Sequence, residues 1–206
     1  MTLMPNLILA GLLGYLAGSI SFAILIPRLF GTTKDIRQLG SGNAGSTNVL
    51  RTQGKKLGAL VLALDLLKGA GTAWAGLLLF GGGYGSAGAI LGHCYPLYFG
   101  FKGGKAVATG CGSILVLCPK AFLCLVAIFL LTVSCSGYVS LGSILAASTV
   151  SLWLWLFGAP PPVIWYGFFG SLLILYRHRP NIQKLLKGTE NRMFRKQKKT
   201  NNQAGQ

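Results

Sequence analysis

The stretch from Asp35 to Arg51, DIRQLGSGNAGSTNVLR, sets Gly40, Gly42 and Gly45 at the G-x-G-x-x-G spacing with which doubly wound α/β proteins cradle a dinucleotide pyrophosphate. Glycines do this only where a hydrophobic strand enters them, a helix leaves them and an acidic residue follows about twenty positions later. Here the entering residues, TKDIRQ, are charged and polar. The nearest acid downstream, Asp65, lies inside an apolar run that no ribose could reach. The nucleotide reading fails on context, and the fold must be read from the residues on either side.

Those flanks are apolar. The 206 residues are 52% hydrophobic and only 11% charged, which excludes an ordinary soluble domain with a charged exterior and reads as a membrane protein. Asp35, Asp65 and Glu190 are the only acids, against 19 Lys and Arg, for a formal net charge of +16. A nucleic-acid binder spreads its basic residues over a polar domain, whereas these are confined to segment ends. No nucleic-acid partner is expected; anionic lipid headgroups and phosphorylated substrates fit better. Cys94, Cys111, Cys118, Cys124 and Cys135 are odd in number, show no C-x-x-C pair and read as small packing residues. Three acids cannot build a carboxylate cluster for catalytic magnesium, so neither a metal nor a cofactor is expected.

A helical crossing needs roughly 20 apolar residues, fewer where protein shields the ends. Candidate spans are 3–28, 57–80, 84–100, 105–118, 121–136, 139–158 and 161–177. The first is too long for a signal peptide's apolar core and has no basic leader, so it reads as a retained span. Pro119 and Lys120 separate the short fourth and fifth, which hydropathy alone could join into one bent helix. Charge decides, because Lys and Arg are retained on the cytoplasmic side. Seven crossings collect six basic residues from Arg28 to Lys56, Lys102 and Lys105, and nine from Arg177 to Lys199 on one side, leaving Lys120 opposite and Lys68 within a span. Six crossings would put the basic tail outside. The expected fold is therefore an all-α integral membrane protein of seven transmembrane helices, amino terminus outside and carboxyl terminus cytoplasmic. One membrane domain covers 1–196, and a short polar disordered tail covers 197–206. Most of the 30 glycines then serve close helix packing, Gly11, Gly14, Gly18, Gly76, Gly88 and Gly170 among them.

The same parity brings four polar loops to one face. GFKGGKAVAT joins Gly100, Gly103 and Gly104 to Lys102, Lys105 and Thr109 where a helix begins, an arrangement able to turn backbone N–H groups and an ammonium toward an anion. It is no Walker A loop, since Phe99 stands where glycine is needed and Ala106 where Ser or Thr would hold magnesium. In the opening stretch Ser41, Asn43, Ser46, Thr47 and Asn48 offer uncharged donors between Arg37 and Arg51, which can grip phosphate bidentately. Asp65 and Lys68, three apart, read as a buried ion pair steadying the bundle rather than a proton relay. His93, mid-span, reads as a hydrogen-bonded packing residue, while His178 lies at the inner end of the last span among Arg177, Arg179 and Asn181. Neither histidine begins an H-x-x-x-x-D acyltransferase motif.

GSIS, DIRQLGSGNAGSTNVLR, LDLLKG, LGHCYPLYFGFKGGKAVAT, YVSLGSILAA and YRHRPNIQKLLKGTENR resemble, in order and spacing, the bacterial acyl-phosphate:glycerol-3-phosphate acyltransferase family, PlsY, over nearly the whole chain to about Arg192. The resemblance implies a seven-helix enzyme of the bacterial inner membrane, its site facing the cytoplasm. It would move a fatty acyl group from acyl phosphate to the 1-hydroxyl of glycerol 3-phosphate. Lysophosphatidate and phosphate are the products of this first acylation of phospholipid biosynthesis, and association with an acyl-phosphate-forming enzyme is a possible corollary. Carried over by motif, the catalytic set is Ser41, Arg51, Lys105, Ser143, His178 and Asn181. Lys102, Gly103, Gly104, Lys105 and Thr109 would take the phosphate of glycerol 3-phosphate. Ser41, Gly42, Asn43, Arg51 and Ser143 would take the acyl phosphate, with Glu190, Asp65 and Lys68 structural. Ser21, Ser46, Ala106 and Gly137 depart from the usual Pro, Ala, Gly and basic residue, and Gly137 leaves that loop without its cation.

Acyl phosphate already carries a good leaving group, so positioning and charge stabilisation suffice without a covalent nucleophile. His178 or a substrate phosphate, with a second pKa of roughly 6, is the candidate base. From the residues alone a transporter of organic phosphates is the rival, but it should carry cations at mid-membrane within an internal repeat, and none is visible beyond Lys68.

Overall fold

The computed structural model describes residues 3–80 and 83–193, and among these there is no β-strand. Ten α-helices follow in order: α1 Leu3–Gly18, α2 Phe22–Leu29, α3 Ser46–Gln53, α4 Lys55–Phe80, α5 Tyr84–Cys94, α6 Val107–Leu117, α7 Pro119–Ser136, α8 Val139–Leu156, α9 Pro161–Arg177 and α10 Arg179–Leu186. The polar tail expected from residue 197 lies outside the described residues.

Among the described residues, four stretches are long and apolar enough to cross a bilayer: Pro5–Leu29, Lys55–Leu79, Pro119–Ser136 and Val139–Leu156. Helices α5 and α6, at 11 residues each, and α9, at 17, are shorter than the sequence spans drawn over them. Eleven residues rise only ~16 Å against a hydrocarbon core of ~30 Å. The two 11-residue helices are packed along longer ones, α6 along α4 and α5 along α1, while α9 lies against α8 with much of its surface open. Around the bundle, Leu78, Leu123, Leu131, Trp155, Trp165 and Phe169 stand exposed, an apolar surface that requires lipid.

The boundaries have local causes. The expected first span breaks between α1 and α2 at Ser19–Ser21, where Ser19 Oγ donates to the Tyr15 carbonyl at 2.8 Å and accepts the Leu97 amide at 3.2 Å. The carbonyls exposed at the break are met by the Lys68 ammonium, 3.1 Å from Gly18 O and 2.8 Å from Ile20 O. Its counter-ion Asp65 lies at 3.1 Å, and His93 Nδ1 lies 3.1 Å from the same ammonium. Thus Asp65, Lys68 and His93 tie α4, α5 and the α1–α2 break together. Pro96, which has no N–H, follows the end of α5, and the chain continues in the single 3₁₀ turn Leu97–Phe99. Between α6 and α7 the extended Cys118 and the leading Pro119 make a full break, and α7 lies along α8 instead of α4. The candidate fourth and fifth spans are therefore two helices and not one bent one.

The α1–α5 seam is built from small residues. A Cβ on Gly14 would overlap the Gly85 backbone, one on Gly18 the Ala89 backbone and one on Gly88 the Gly11 carbonyl. Gly11, by contrast, has nothing within 4 Å of the Cβ position. Gly18→Ala is therefore expected to destabilise the detergent-solubilised protein by about 1–3 kcal/mol of overpacking, read as a lowered thermal midpoint, while Gly11→Ala leaves that midpoint unchanged.

Candidate active site

The opening stretch folds around one side chain. Asn48 is 1% exposed on the first turn of α3, and its Nδ2 lies 3.1, 2.9 and 3.1 Å from the carbonyls of Ile36, Leu39 and Asn43. Its Oδ1 accepts the Ser41 amide at 3.0 Å. Asn48 therefore builds the loop and has nothing left to offer a substrate, contrary to its reading as a free donor. Gly40 and Gly42 adopt left-handed φ of 57° and 73°, and a Cβ at Gly40 would collide with Asn48 Oδ1. The glycines that imitate a nucleotide fingerprint are those a backbone wrapped around an asparagine requires.

Arg37 is likewise committed. It meets Asp35 at 3.0 and 2.8 Å and donates to the Phe99 carbonyl at 2.8 Å, which joins the opening loop to the segment before α6. The guanidinium in turn holds the Asp35 carboxyl below its ordinary pKa. Arg37 is thus a clamp between loops and not a phosphate grip.

The glycine loop before α6 also differs from the expected cradle. Gly103 and Gly104 direct their amides to the Cys94 and His93 carbonyls at 3.2 and 3.0 Å, capping the end of α5 instead of facing a ligand. Their own carbonyls accept from Arg177 Nη2 and Nε at 3.0 and 3.1 Å. Both are glycine because the loop is pressed against α5, and a Cβ on either would overlap His93. Thr109, assigned to phosphate binding, is fully buried with its hydroxyl 3.1 Å from His93 Nδ1, and Lys102 projects outward. Of the five residues assigned to that phosphate, Lys105 and Gly103 line the two spaces described next. Ala106 takes a left-handed φ of 60°, which is why glycine suits this position.

Two connected spaces remain. An inner cavity of about 260 Å³ is lined by Ser41, Asn43, Arg51, Lys105, Ser143, His178, Asn181 and Glu190 on its polar side. Leu62 and Leu66 of α4, Phe122, Val126 and Phe129 of α7, and Ser140 form other parts of its wall. An outer recess of about 420 Å³ shares Ser41, Asn43, Lys105 and Asn181, adds Gly42 and Gly103, and is lined by the cations Arg177, Arg179 and Lys184. All six proposed catalytic positions thus border one cavity, drawn from four chain segments.

Their electrostatics are set by burial. Lys105 donates to Asn181 Oδ1, and Asn181 Nδ2 donates to the two Glu190 oxygens at 3.1 and 3.2 Å. Desolvation lowers the Lys105 pKa to about 8, with Glu190 opposing the shift. Burial also lowers Arg51 against the same Glu190 charge, and its guanidinium reaches the Asn191 carbonyl at 3.2 Å. His178 is 2% exposed, and burial followed by the Lys105 charge lowers its pKa to about 4. Its Nδ1 donates to the Ile174 carbonyl at 2.8 Å, leaving Nε2 as the bare acceptor. Next to Gly137, Arg192 lies 5.1 Å over the Tyr138 ring and its Nε donates to the hydroxyl at 3.0 Å, outside the lining of the site.

A helical membrane protein whose cationic loops converge on a cavity with one polar side and one apolar wall is a protein for amphiphilic anions. More narrowly, residues 8–188 match the family model for glycerol-3-phosphate acyltransferase, and the chain belongs to that family. It is 46% identical over 186 residues to the glycerol-3-phosphate acyltransferase of Syntrophotalea carbinolica, covering 88% of this chain and 94% of the other. With the Proteus mirabilis enzyme of the same description it is 46% identical over 189 residues, covering 90% and 85%. Among solved structures it resembles PlsY (YgiH), an integral membrane glycerol 3-phosphate acyltransferase. The glycerol 3-phosphate form superposes with a TM-score of 0.85 at 40% identity, covering 90% of this chain and 94% of that one. The lysophosphatidic acid form has a TM-score of 0.83 at 39% identity over the same shares.

Removing the Asn48 amide would leave the Ser41 N–H unpaired and take a second donor from the carbonyls of Ile36, Leu39 and Asn43, each of which keeps one backbone N–H. Asn48→Ala is expected to cost about 1–3 kcal/mol, the penalty of one buried group left unpaired, and to abolish activity because Ser41 and Arg51 lose their frame. Thermal unfolding and turnover measured on the same preparation check both.

Proposed function

We propose that this chain transfers a fatty acyl group to the 1-hydroxyl of sn-glycerol 3-phosphate, forming lysophosphatidic acid, and that acyl phosphate is the direct donor. One observation carries the proposal: Arg51, Lys105, His178 and Asn181 share a cavity with an apolar α4 and α7 wall, and this cavity adjoins a recess lined by Arg177, Arg179 and Lys184. The two spaces suit an anionic amphiphile on the inside and a small polar phosphate on the outside.

In this reading Lys105, with the recess cations, holds the phosphate of glycerol 3-phosphate, in place of the glycine-loop amides. Arg51 and Ser41 hold the acyl phosphate beside Ser143, whose own proton is bonded to the Val139 carbonyl. The bare Nε2 of His178 accepts from the 1-hydroxyl and, with Asn181, aims its oxygen at the acyl carbon. A conjugate acid near pH 4 makes this imidazole a poor proton store at neutral pH. The departing phosphate is the better proton acceptor: the hydroxyl oxygen bonds to carbon, the C–O bond to phosphate breaks, and the proton leaves on hydrogen phosphate.

Seven crossings, with the amino terminus outside, the carboxyl terminus cytoplasmic and residues 1–196 as one domain, fit the separation of α6 from α7 and the gathering of the basic loops. On the same reading the enzyme sits in the bacterial inner membrane with its site on the cytoplasmic face, near an enzyme that makes acyl phosphate.

Purified protein given palmitoyl phosphate and glycerol 3-phosphate should release lysophosphatidate and phosphate in equal amounts, and palmitoyl-CoA should give none. Transport of glycerol 3-phosphate into vesicles without acylation would overturn the proposal. Lys105→Ala should raise the KM for glycerol 3-phosphate, and an unchanged KM would remove the lysine from that subsite. Raising the pH through about 8 strips the ammonium proton, so kcat/KM for glycerol 3-phosphate should fall above that value. In Lys105→Arg, whose guanidinium stays charged, this alkaline limb should move upward.

A further inference from the structure

The first turn of α8 carries a polar group that no contact within the protein uses. Ser140 is 7% exposed, its Oγ is buried without a hydrogen-bond partner, and it borders the inner cavity. Ser143, one turn further on the same helix face, borders the cavity as well, but its hydroxyl donates to the Val139 carbonyl at 2.9 Å. Ser143 can therefore only accept, whereas the Ser140 proton is free to be given.

The backbone adds to this. No side chain caps α8, and Gly142 is the first of its amides bonded back along the chain, to the Tyr138 carbonyl at 3.2 Å. The N–H groups of Val139, Ser140 and Leu141 thus stand at the positive end of an 18-residue helix without helical acceptors. Phe122, Val126 and Phe129 of α7 border the same cavity, so the group received at this point has an apolar tail beside it. That chemistry excludes glycerol 3-phosphate and selects the acyl donor.

We propose that the Ser140 hydroxyl and the unbonded amides opening α8 hold the phosphoryl group of the acyl donor, with its chain along Phe122, Val126 and Phe129. The inference rests on the acyl-phosphate reading above and adds a donor on the α8 side, opposite in chemistry to the accepting Ser143.

Ser140→Ala removes no bond within the protein, so its thermal midpoint should equal or exceed that of the parent. Its KM for palmitoyl phosphate should rise about tenfold or more, as for loss of a hydrogen bond to a charged group, with the KM for glycerol 3-phosphate unchanged. The Ki of dodecyl phosphate as a competitor of palmitoyl phosphate should rise by the same factor, which reads binding apart from chemistry. An unchanged KM and Ki overturn the inference, as does a rise in both substrates' KM accompanied by a lowered thermal midpoint. The parent protein, assayed alongside, keeps the two claims apart: if it does not use palmitoyl phosphate the donor reading fails, and if it does, the variant alone decides the role of Ser140.

Discussion

The structure depends on where a nearly acid-free chain puts its carboxylates. There are three, and each sits at a joint. Asp35 fixes Arg28 and Arg37, and through Arg37 the opening loop is locked to the segment before α6. Asp65 balances Lys68, whose ammonium satisfies the carbonyls freed where α1 gives way to α2. Glu190 holds Asn181, which in turn holds Lys105, and its charge faces Arg51. A cation inside a membrane bundle is costly unless paired, so these acids determine which basic residues are structural. Arg177 is occupied by backbone carbonyls, and Arg179 and Lys184 border the recess without an acid beside them, which leaves its charge available to phosphates.

Glycine and asparagine do the complementary work of shaping the loops. Gly103 and Gly104 allow a close approach to α5, and Gly40 and Gly42 allow the turn around Asn48. The amides of Ser41, Gly42, Gly45, Gly103 and Gly104 are thereby turned into the protein and away from any ligand. The site resembles a P-loop or a dinucleotide turn in composition only. The groups that line it are an ammonium, guanidinium groups and hydroxyls.

Much of this was legible in the sequence. Apolar runs gave the helical class, and the motifs from Ser41 to Asn181 gave the residues that border the cavity. What sequence could not supply were contacts between segments. Nothing in GSIS foretells that a lysine 48 residues away caps the break behind it. Nothing in GFKGGKAVAT tells amides that face a ligand from amides that face a neighbouring helix, since glycine permits both. The eight-residue helices α3 and α10 were hidden because they are too short and too polar to stand out from loops. Ser140 was hidden for a different reason: in YVSLGS two serines lie one turn apart, and only the bond from Ser143 to Val139 distinguishes them. The contact of Arg192 with Tyr138, next to Gly137, was hidden because it joins residues 54 apart in the chain.

The central claim is that both substrates occupy adjoining spaces at once and react directly, the protein orienting them without carrying the acyl group. Serines at 41, 46, 140 and 143 border the cavity, so a covalent route must be tested. The direct measurement is initial velocity as a function of both glycerol 3-phosphate and palmitoyl phosphate. The account predicts double-reciprocal lines that intersect, and no mass increase on protein incubated with palmitoyl phosphate alone. Parallel lines together with a palmitoyl adduct on one of those serines would contradict it.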